Sequence, residues 1–131
     1  MTNWKSYGKP KNKYGAQSTV VDGIKFPSQK EARRYAQLKM LERAGEIRDL
    51  QRQVEFELIP AQFEPSKTLK NGRKVRGRCI ERKCVYISDF AYIQSDTGEY
   101  IVEDAKGFRT DVYRLKKKLL LYKYNIRIKE V

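Results

Sequence analysis

The sequence predicts a single α/β domain, with elements in the order α-β-β-β-α-β and a mixed four-stranded sheet flanked by helices. Three features predict this fold class. Apolar residues recur at helical spacing in two stretches, alternating stretches of strand length lie between them, and a strand, a helix and a strand close the chain. At 131 residues the chain is long enough for one hydrophobic core, and no internal repeat indicates a second domain.

The first 19 residues contain Lys, Gly, Pro and Ser without periodicity. We interpret them as a flexible basic arm that precedes a domain at 20–131. The arm carries Trp4, Tyr7 and Tyr14, and such aromatic and basic residues are able to stack on bases and follow phosphates. A disordered terminus without function explains the same composition.

The stretch "FPSQKEARRYAQLKMLERAGEI" predicts the first helix, from Gln29 to Ala44. Ser28 is suited to cap its N-terminus and Gly45 to end it in the left-handed conformation. The apolar stripe that follows the helical spacing contains Ala32, Tyr35, Leu38 and Leu41.

A strand and a long basic segment follow this helix. In "LQRQVEFELIP", Val54, Phe56 and Leu58 alternate with polar residues, which predicts a strand ended by Pro60. Periodicity is absent from residues 61–83, which we interpret as a long basic loop with room for an extra hairpin at "NG". Loops of this length in compact domains are usually functional or disordered.

The C-terminal half predicts a hairpin, a helix and a last strand. "CVYISDFAYI" and "EYIVEDAK" flank the turn "SDTG". The second helix is expected to begin after Thr110 and to end near Asn125. Its predicted apolar face contains Val112, Leu115, Leu119 and Tyr122. The closing "IRIKEV" is expected to lie parallel to "YIVEDAK", because a strand-helix-strand crossover joins parallel strands.

Alternation along the hairpin places Asp89 on an apolar strand face. The opposite face, expected to pack the core or a dimer contact, contains Cys84, Tyr86, Phe90 and Tyr92. If the turn is centred between Asp96 and Thr97, Asp89 lies opposite Asp104, and directly opposed like charges destabilise a sheet. Protonation of one Asp or partial neutralisation by Lys106 would reduce the repulsion, but a divalent cation offsets it most completely.

The net charge of +13, from 29 Lys and Arg against 16 Asp and Glu, indicates a polyanionic partner, of which nucleic acid is the commonest. A ribosome-like or merely soluble basic protein is the alternative. The chain has no His, which excludes Ser-His-Asp and Cys-His catalysis and His-ligated zinc. Its two cysteines are expected to be reduced, and no apolar run reaches the ~20 residues of a membrane span, so we expect a cytoplasmic protein without membrane contact.

Two carboxylates beside a lysine suit the hydrolysis of a phosphodiester. Asp89 and Asp104 would hold Mg²⁺ or Mn²⁺, and the Lys106 ammonium would orient a water molecule or stabilise developing charge. A salt-bridged surface hairpin, with a register one residue away, explains the same residues without chemistry.

"SDF" followed by "EDAKG", within this order of elements, resembles the PD-(D/E)XK nuclease superfamily, and specifically its small phage and prophage proteins. The resemblance extends from Asp22 to Val131 and is strongest in "FPSQKEARRYAQLKMLERAGEIRDLQRQVEFEL" and "VEDAKGFRTDVYRLKKKLLLYKY". It implies a restriction-endonuclease-like core and a Mg²⁺- or Mn²⁺-dependent DNA endonuclease, with branched DNA such as a Holliday junction as one substrate and a homodimer as one assembly. It differs from the family pattern at Ser88, where Pro is usual.

The resemblance also assigns roles to residues. By position, Asp89 matches the first acid, Asp104 the second and Lys106 the catalytic lysine, and the Ala105 carbonyl is a further metal ligand. Glu31 matches the acid that many members contribute from the first helix. "SQKE" is also a capping box, which explains Glu31 without a metal, and the adjoining acid Glu103 is a competing ligand that strand alternation places on the other face.

Basic residues near the predicted site are candidates for contacts with DNA. The basic loop contributes Arg73, Lys74, Arg76 and Arg78, and the region of the second helix contributes Arg109, Lys116 and Lys117. Two other classes of function stay open at this point. One is a non-catalytic nucleic-acid-binding module, and the other is an RNA-binding or ribosome-associated protein that uses the arm and the loop.

Overall fold

The fold of the chain is mixed α/β, as predicted, in a computed structural model that describes residues 18–105 and 109–131. The helices are α1 (Gln29–Arg43) and α2 (Asp111–Tyr124). The strands in chain order are β1 (Thr19–Val21), β2 (Ile24–Phe26), β3 (Ile47–Arg52), β4 (Glu55–Ile59), β5 (Gln62–Phe63), β6 (Lys67–Thr68), β7 (Lys74–Val75), β8 (Cys79–Glu81), β9 (Cys84–Ile87), β10 (Phe90–Gln94), β11 (Tyr100–Asp104) and β12 (Lys129–Glu130). Neither helix has the length and apolarity needed to cross a membrane.

The central sheet has four strands in the order β12-β11-β10-β3. β10 is antiparallel to both of its neighbours, and β12 is parallel to β11, which confirms the predicted mixed sheet and the parallel last strand. Since α1 precedes β3 and α2 lies between β11 and β12, these elements follow the order α-β-β-β-α-β. The identity of the first strand was predicted wrongly: β3 joins the sheet, whereas β4, which contains Phe56 and Leu58, pairs with β9.

Both helices begin and end close to the predicted positions. Ser28 caps α1 by accepting a hydrogen bond from the backbone N–H of Glu31 at 3.2 Å. Thr110 caps α2 by accepting from the N–H of Tyr113 at 3.0 Å. At the end of α2, Asn125 has a φ of 55°, the left-handed conformation that Asn tolerates better than most residues.

The sheet separates two hydrophobic clusters. The cluster on the α1 side contains Phe26, Ala32, Tyr35, Leu38, Ile47, Phe90 and Tyr92. The cluster on the α2 side contains Leu58, Tyr86, Ala91, Val102, Tyr113, Leu120 and Ile128. The predicted face of α2 was right only at Leu119, which packs against the α2-side cluster. Val112, Leu115 and Tyr122 are exposed, and the helix buries Tyr113 and Leu120.

A kink divides the long hairpin strand that the sequence predicted. Ser88 and Asp89 lie between β9 and β10, and on the opposite strand Gln53 takes a positive φ of 51° between β3 and β4. The two breaks are joined, since the N–H of Gln53 donates to the carbonyl of Asp89 at 3.1 Å. Alternation does not continue through the kink, so Tyr86 lies on the α2 side and Tyr92 on the α1 side, not on one shared face as predicted.

Residues 55–87 form a two-stranded β-arm, in which β4 pairs with β9, β5 with β8 and β6 with β7. The segment 61–83 therefore contains short antiparallel strand pairs with irregular residues between them, including the hairpin for which the predicted loop had room. The predicted N-terminal arm at 1–19 falls outside the described residues except at its end, where Thr19 begins the β1–β2 hairpin.

Candidate functional site

Strand β11 ends in two fully buried acids, Glu103 and Asp104. The side chain of Glu103 bonds to residues of the α1-side cluster and its helix, whereas Asp104 bonds to Tyr86 of the α2-side cluster. This confirms the prediction that the two acids lie on opposite faces. A buried carboxylate is costly unless it accepts hydrogen bonds or pairs with a cation, so each acid depends on its own partners.

Glu103 is paired with a cation from α1. Arg34 makes a bidentate contact, with Nε 2.7 Å from Oε1 and Nη2 2.9 Å from Oε2 of Glu103. The hydrogen bond to Glu103 raises the pKa of the Arg34 guanidinium. Tyr92 also donates its hydroxyl to Glu103, and burial raises the pKa of that phenol. The carboxylate of Glu103 is therefore occupied in joining α1 to the sheet.

Asp104 lies among tyrosines on the other face. The hydroxyl of Tyr86 donates to Oδ2 of Asp104 at 2.5 Å, and burial, followed by this hydrogen bond, raises the pKa of Tyr86. Tyr113 of α2 packs beside Tyr86, with ring centroids 6.5 Å apart. Burial and the charge of Asp104 also raise the pKa of Tyr113. Both phenols thus stay protonated as donors at physiological pH.

Asp89 lies at the kink, beside the end of β11. In the β10–β11 register Phe90 pairs with Glu103, and Asp89 directly precedes β10. The predicted pairing of Asp89 with Asp104 lies one step beyond this register and stays a prediction. Oδ2 of Asp89 accepts the N–H of Ala105 at 2.8 Å. The charges of both Asp89 and Asp104 contribute to the raised pKa of Tyr86. The two carboxylates therefore share one neighbourhood at the end of the sheet.

Three other groups were predicted to bind the metal or to act in catalysis: Lys106, Glu31 and the Ala105 carbonyl. Lys106 lies outside the described residues. Glu31 is only 4% exposed on α1, and its backbone N–H completes the Ser28 cap. Within residues 18–105 and 109–131, no group of three His, Cys, Asp or Glu side chains is arranged to hold a metal ion. The metal-binding roles of Glu31 and of the Ala105 carbonyl therefore stay predictions.

The pair Asp89 and Asp104 suits a hard divalent cation in its donor chemistry. Mg²⁺ prefers oxygen ligands and is commonly held by one or two carboxylates, with water and substrate phosphates completing its coordination. Two aspartates at one end of a sheet provide that number of protein ligands. A soft metal would instead require thiolate ligands. The two cysteines, Cys79 in β8 and Cys84 in β9, both belong to the β-arm and not to the end of β11.

Part of the predicted basic rim is paired with an acid. Glu130 of β12 bonds to Lys117 and to Arg109, and the hydrogen bond from Lys117 lowers the pKa of Glu130. Since Glu130 offsets part of their charge, Arg109 and Lys117 are weaker candidates for DNA contact than the sequence predicted. Lys116 is half-buried and lines a cleft of about 270 Å³ between β9 and the start of α2, together with Tyr86 and Tyr113.

The remaining predicted DNA contacts, Arg73, Lys74, Arg76 and Arg78, are all exposed on the β-arm. The sequence alone did not assign chemistry to Tyr86, Tyr113, Arg34 or Glu130, which surround the buried acids. For Tyr113 a signal was present, because Tyr113 and Leu120 are seven residues apart and define a second apolar stripe on α2.

A family model described as "Protein of unknown function (DUF1064)" matches residues 11–130 of the chain. No curated protein and no solved structure matches it.

Proposed function

The chain belongs to the DUF1064 family, and we propose that it is a divalent-metal-dependent endonuclease that hydrolyses phosphodiester bonds in DNA. One observation carries the proposal: Asp89 accepts the N–H of Ala105, the residue directly after Asp104, so both aspartates lie at the end of β11. The net charge of +13 supports a polyanionic substrate.

Bringing two carboxylates together costs free energy, which points to a ligand that offsets it. Tyr86 supplies one hydrogen bond to Asp104, and Ala105 supplies one to Asp89. These two donors are neutral, so neither of them removes the charge of the carboxylate that it contacts. A divalent cation offsets the repulsion of both groups at once, and we propose that Mg²⁺ or Mn²⁺ does so here.

In the proposed reaction, Asp89 and Asp104 would hold the cation, with the Ala105 carbonyl and Glu31 as further candidate ligands. When bound, the cation polarises the scissile phosphate and lowers the pKa of a water molecule. Lys106 orients the attacking water or stabilises the charge that develops on the phosphate. Lys116, in the cleft beside Tyr86 and Tyr113, is placed to attract a phosphate, and the capped N-terminus of α2 adds the favourable end of a helix dipole.

We also propose that the fold is the restriction-endonuclease-like core of the PD-(D/E)XK superfamily. The order α1-β3-β10-β11-α2-β12 and the antiparallel and parallel pairings of the sheet support this assignment. The substrate form that we propose is branched DNA. Resolution of a four-way junction requires two cuts, so we propose that a homodimer performs it, which sedimentation with and without a junction would test.

The experiment is cleavage of supercoiled, linear and four-way-junction DNA with Mg²⁺, Mn²⁺ or EDTA. We expect metal-dependent cutting by the wild type, fastest on the junction. Asp89→Asn, Asp104→Asn and Lys106→Ala should each reduce the rate by about 100-fold or more while DNA binding is retained, since even the partners of metal ligands contribute 10- to 100-fold. Asp111→Asn removes a fully exposed carboxylate near the start of α2 and is the matched control.

A second candidate is a non-catalytic nucleic-acid-binding module. The observation that favours it is the exposed cationic β-arm, which is able to bind a polyanion without the two aspartates. Tight binding with no cutting under any metal condition would support the module and contradict the nuclease. Cutting that survives all three substitutions would also contradict the proposed site.

A further inference from the structure

The β-arm is anchored at its base and exposed along its outer part. At the base, the hydroxyl of Tyr124 and the ammonium of Lys123 both donate to the carbonyl of Glu57, at 2.7 and 2.9 Å. From Glu64 to Lys83, every residue except Gly77 is exposed. The outer strands β5, β6, β7 and β8 pair only with one another within the described residues. The arm is thus a ribbon that projects from a fixed point on α2.

The ribbon is strongly cationic. Residues 61–83 contain eight Lys and Arg and only two acids, Glu64 and Glu81. The eight cations are Lys67, Lys70, Arg73, Lys74, Arg76, Arg78, Arg82 and Lys83. Lys83 pairs with Glu55 at 3.2 Å, and the other seven form no ion pair in the part of the chain that the structure describes. Exposed cations without acidic partners on one narrow element favour a polyanionic partner.

The shape of the ribbon depends on a close approach of its two strands. The N–H of Glu64 donates to the carbonyl of Arg78 at 2.8 Å. A Cβ atom at Gly77 would lie only 2.0 Å from the carbonyl oxygen of Glu64, so a larger residue there must push the strands apart. Beside this point, the guanidinium of Arg76 lies 4.0 Å from the centroid of the Phe63 ring. Gly77 therefore controls the geometry of the ribbon without contributing charge.

We propose that the β-arm lies in the major groove of double-stranded DNA and places its cations against the phosphates of both walls. A two-stranded ribbon fits the ~12 Å major groove of B-form DNA, but not the deep, narrow major groove of A-form RNA. Eight residues such as Gln62 to Leu69 reach at most ~26 Å at a rise of ~3.3 Å each, a length that follows about seven base pairs. Proteins that bind single-stranded DNA stack its bases on exposed aromatic rings. The guanidinium of Arg76 covers the ring of Phe63, the aromatic residue of this segment, so this ring is not open to the bases of single-stranded DNA.

This inference extends the proposed function by naming the duplex as the bound form, but it does not require cleavage. The test is therefore done on the full chain in EDTA, with a fluorescent 20-base-pair duplex and a KCl titration of its anisotropy. Lys74→Gln/Arg76→Gln/Arg78→Gln should weaken binding at least tenfold and reduce the salt slope by about 2.7, because each neutralised phosphate contributes ~0.9 to that slope. The control Lys25→Gln/Arg43→Gln/Arg48→Gln removes three exposed cations outside the arm and should change the affinity less than threefold.

Two further measurements separate the shape of the ribbon from its charge. Gly77→Val keeps the charge, and we expect it to weaken duplex binding at least tenfold while the circular dichroism spectrum of the domain is retained. Dimethyl sulfate reports on guanine N7 in the major groove, and the wild type should protect these atoms whereas Gly77→Val and the arm triple variant should not.

Four outcomes would overturn the proposal. The first is that the arm triple variant binds the duplex with the affinity of the wild type, and the second is that the control triple variant loses as much affinity as the arm triple variant. The third is that guanine N7 atoms stay unprotected when the duplex is saturated with protein. The fourth is that double-stranded RNA of the same sequence binds as tightly as DNA. None of them depends on whether DNA is cut. Protected N7 atoms without cleavage in Mg²⁺ would leave the arm proposal standing and would contradict the nuclease.

Discussion

The hydroxyl of Tyr86 donates a hydrogen bond to Oδ2 of Asp104 at 2.5 Å, although β9 and β11 are not paired in any sheet. The kink at Ser88 and Asp89 makes this contact possible, because it returns the end of the β-arm to the α2 side of the central sheet. One short bond therefore connects the base of the arm with an acid of the candidate site. The orientation of Asp104 depends on the packing of residues far away in the sequence.

The substitution Tyr86→Phe removes the hydroxyl that donates a hydrogen bond to the fully buried carboxylate of Asp104. We expect the free energy of unfolding to fall by about 1.5–3 kcal/mol, the usual contribution of a hydrogen bond to a charged group. Urea denaturation measures the change, and Tyr122→Phe, at a 90% exposed residue, is the control that should match the wild type. A stability equal to that of the wild type would show that Tyr86 does not support Asp104.

The substitution Arg34→Met removes the guanidinium that pairs with the buried carboxylate of Glu103. We expect a destabilisation of about 3 kcal/mol, because breaking a buried pair from one side leaves an uncompensated charge. The neighbouring Arg33 is exposed, so Arg33→Met should change the stability by less than ~0.5 kcal/mol. Adding Glu103→Gln to Arg34→Met should recover part of the stability. If the effect of the double variant is instead the sum of the two single effects, the two side chains are not coupled.

The ion pairs of Glu130 predict a dependence of stability on pH. Lys117 and Arg109 hold the pKa of Glu130 below its ordinary value of 4.5, so the unfolded chain takes up a proton at this residue more readily than the folded chain. The stabilisation is therefore present above pH 4.5 and is lost as the pH falls through the lower pKa of the folded state. Glu130→Gln should cost about 1 kcal/mol at pH 7, given partners that are half exposed.

Thermal unfolding of the wild type and Glu130→Gln at pH 7 and pH 3 would measure this difference. The difference in stability between the two proteins should be smaller at pH 3 than at pH 7. A gap in stability that is the same at both values, or that widens in acid, would contradict the assignment of the shift to Glu130.

The helices and the hairpin register were predictable because their signals are local. Ser28 and Thr110 mark the helix starts through their own side chains, and the turn at Asp96 fixes which residues face each other across β10 and β11. The same register brings Asp89, which precedes Phe90, beside the end of β11, where it accepts the N–H of Ala105. Most of the predicted α2 face was wrong because the helix carries two apolar stripes, and the stripe with Tyr113 and Leu120 packs into the α2-side cluster with Tyr86.

The kink and the β-arm depend on information that local sequence patterns do not contain. Gln53 takes a positive φ, which Gln rarely adopts and which no turn signal announces. The facing break at Ser88 and Asp89, which the N–H of Gln53 contacts, ends the alternation that assigned Tyr86 and Tyr92 to one face. The ribbon at 61–83 lacks an apolar alternation because both of its faces are exposed, so its strands resemble a loop in sequence.

The central claim is that Asp89 and Asp104 jointly hold a divalent cation beside DNA. Its most direct test is a measurement of Mn²⁺ binding, in which the electron paramagnetic resonance signal of the free ion decreases as the ion is bound. The measurement is made on Lys106→Ala, which keeps both carboxylates but should not cut DNA. With duplex DNA present, we predict that this protein binds Mn²⁺, that adding Asp89→Asn or Asp104→Asn abolishes the binding, and that adding Asp111→Asn leaves it unchanged. Absence of Mn²⁺ uptake, or equal uptake by all four proteins, would contradict the account.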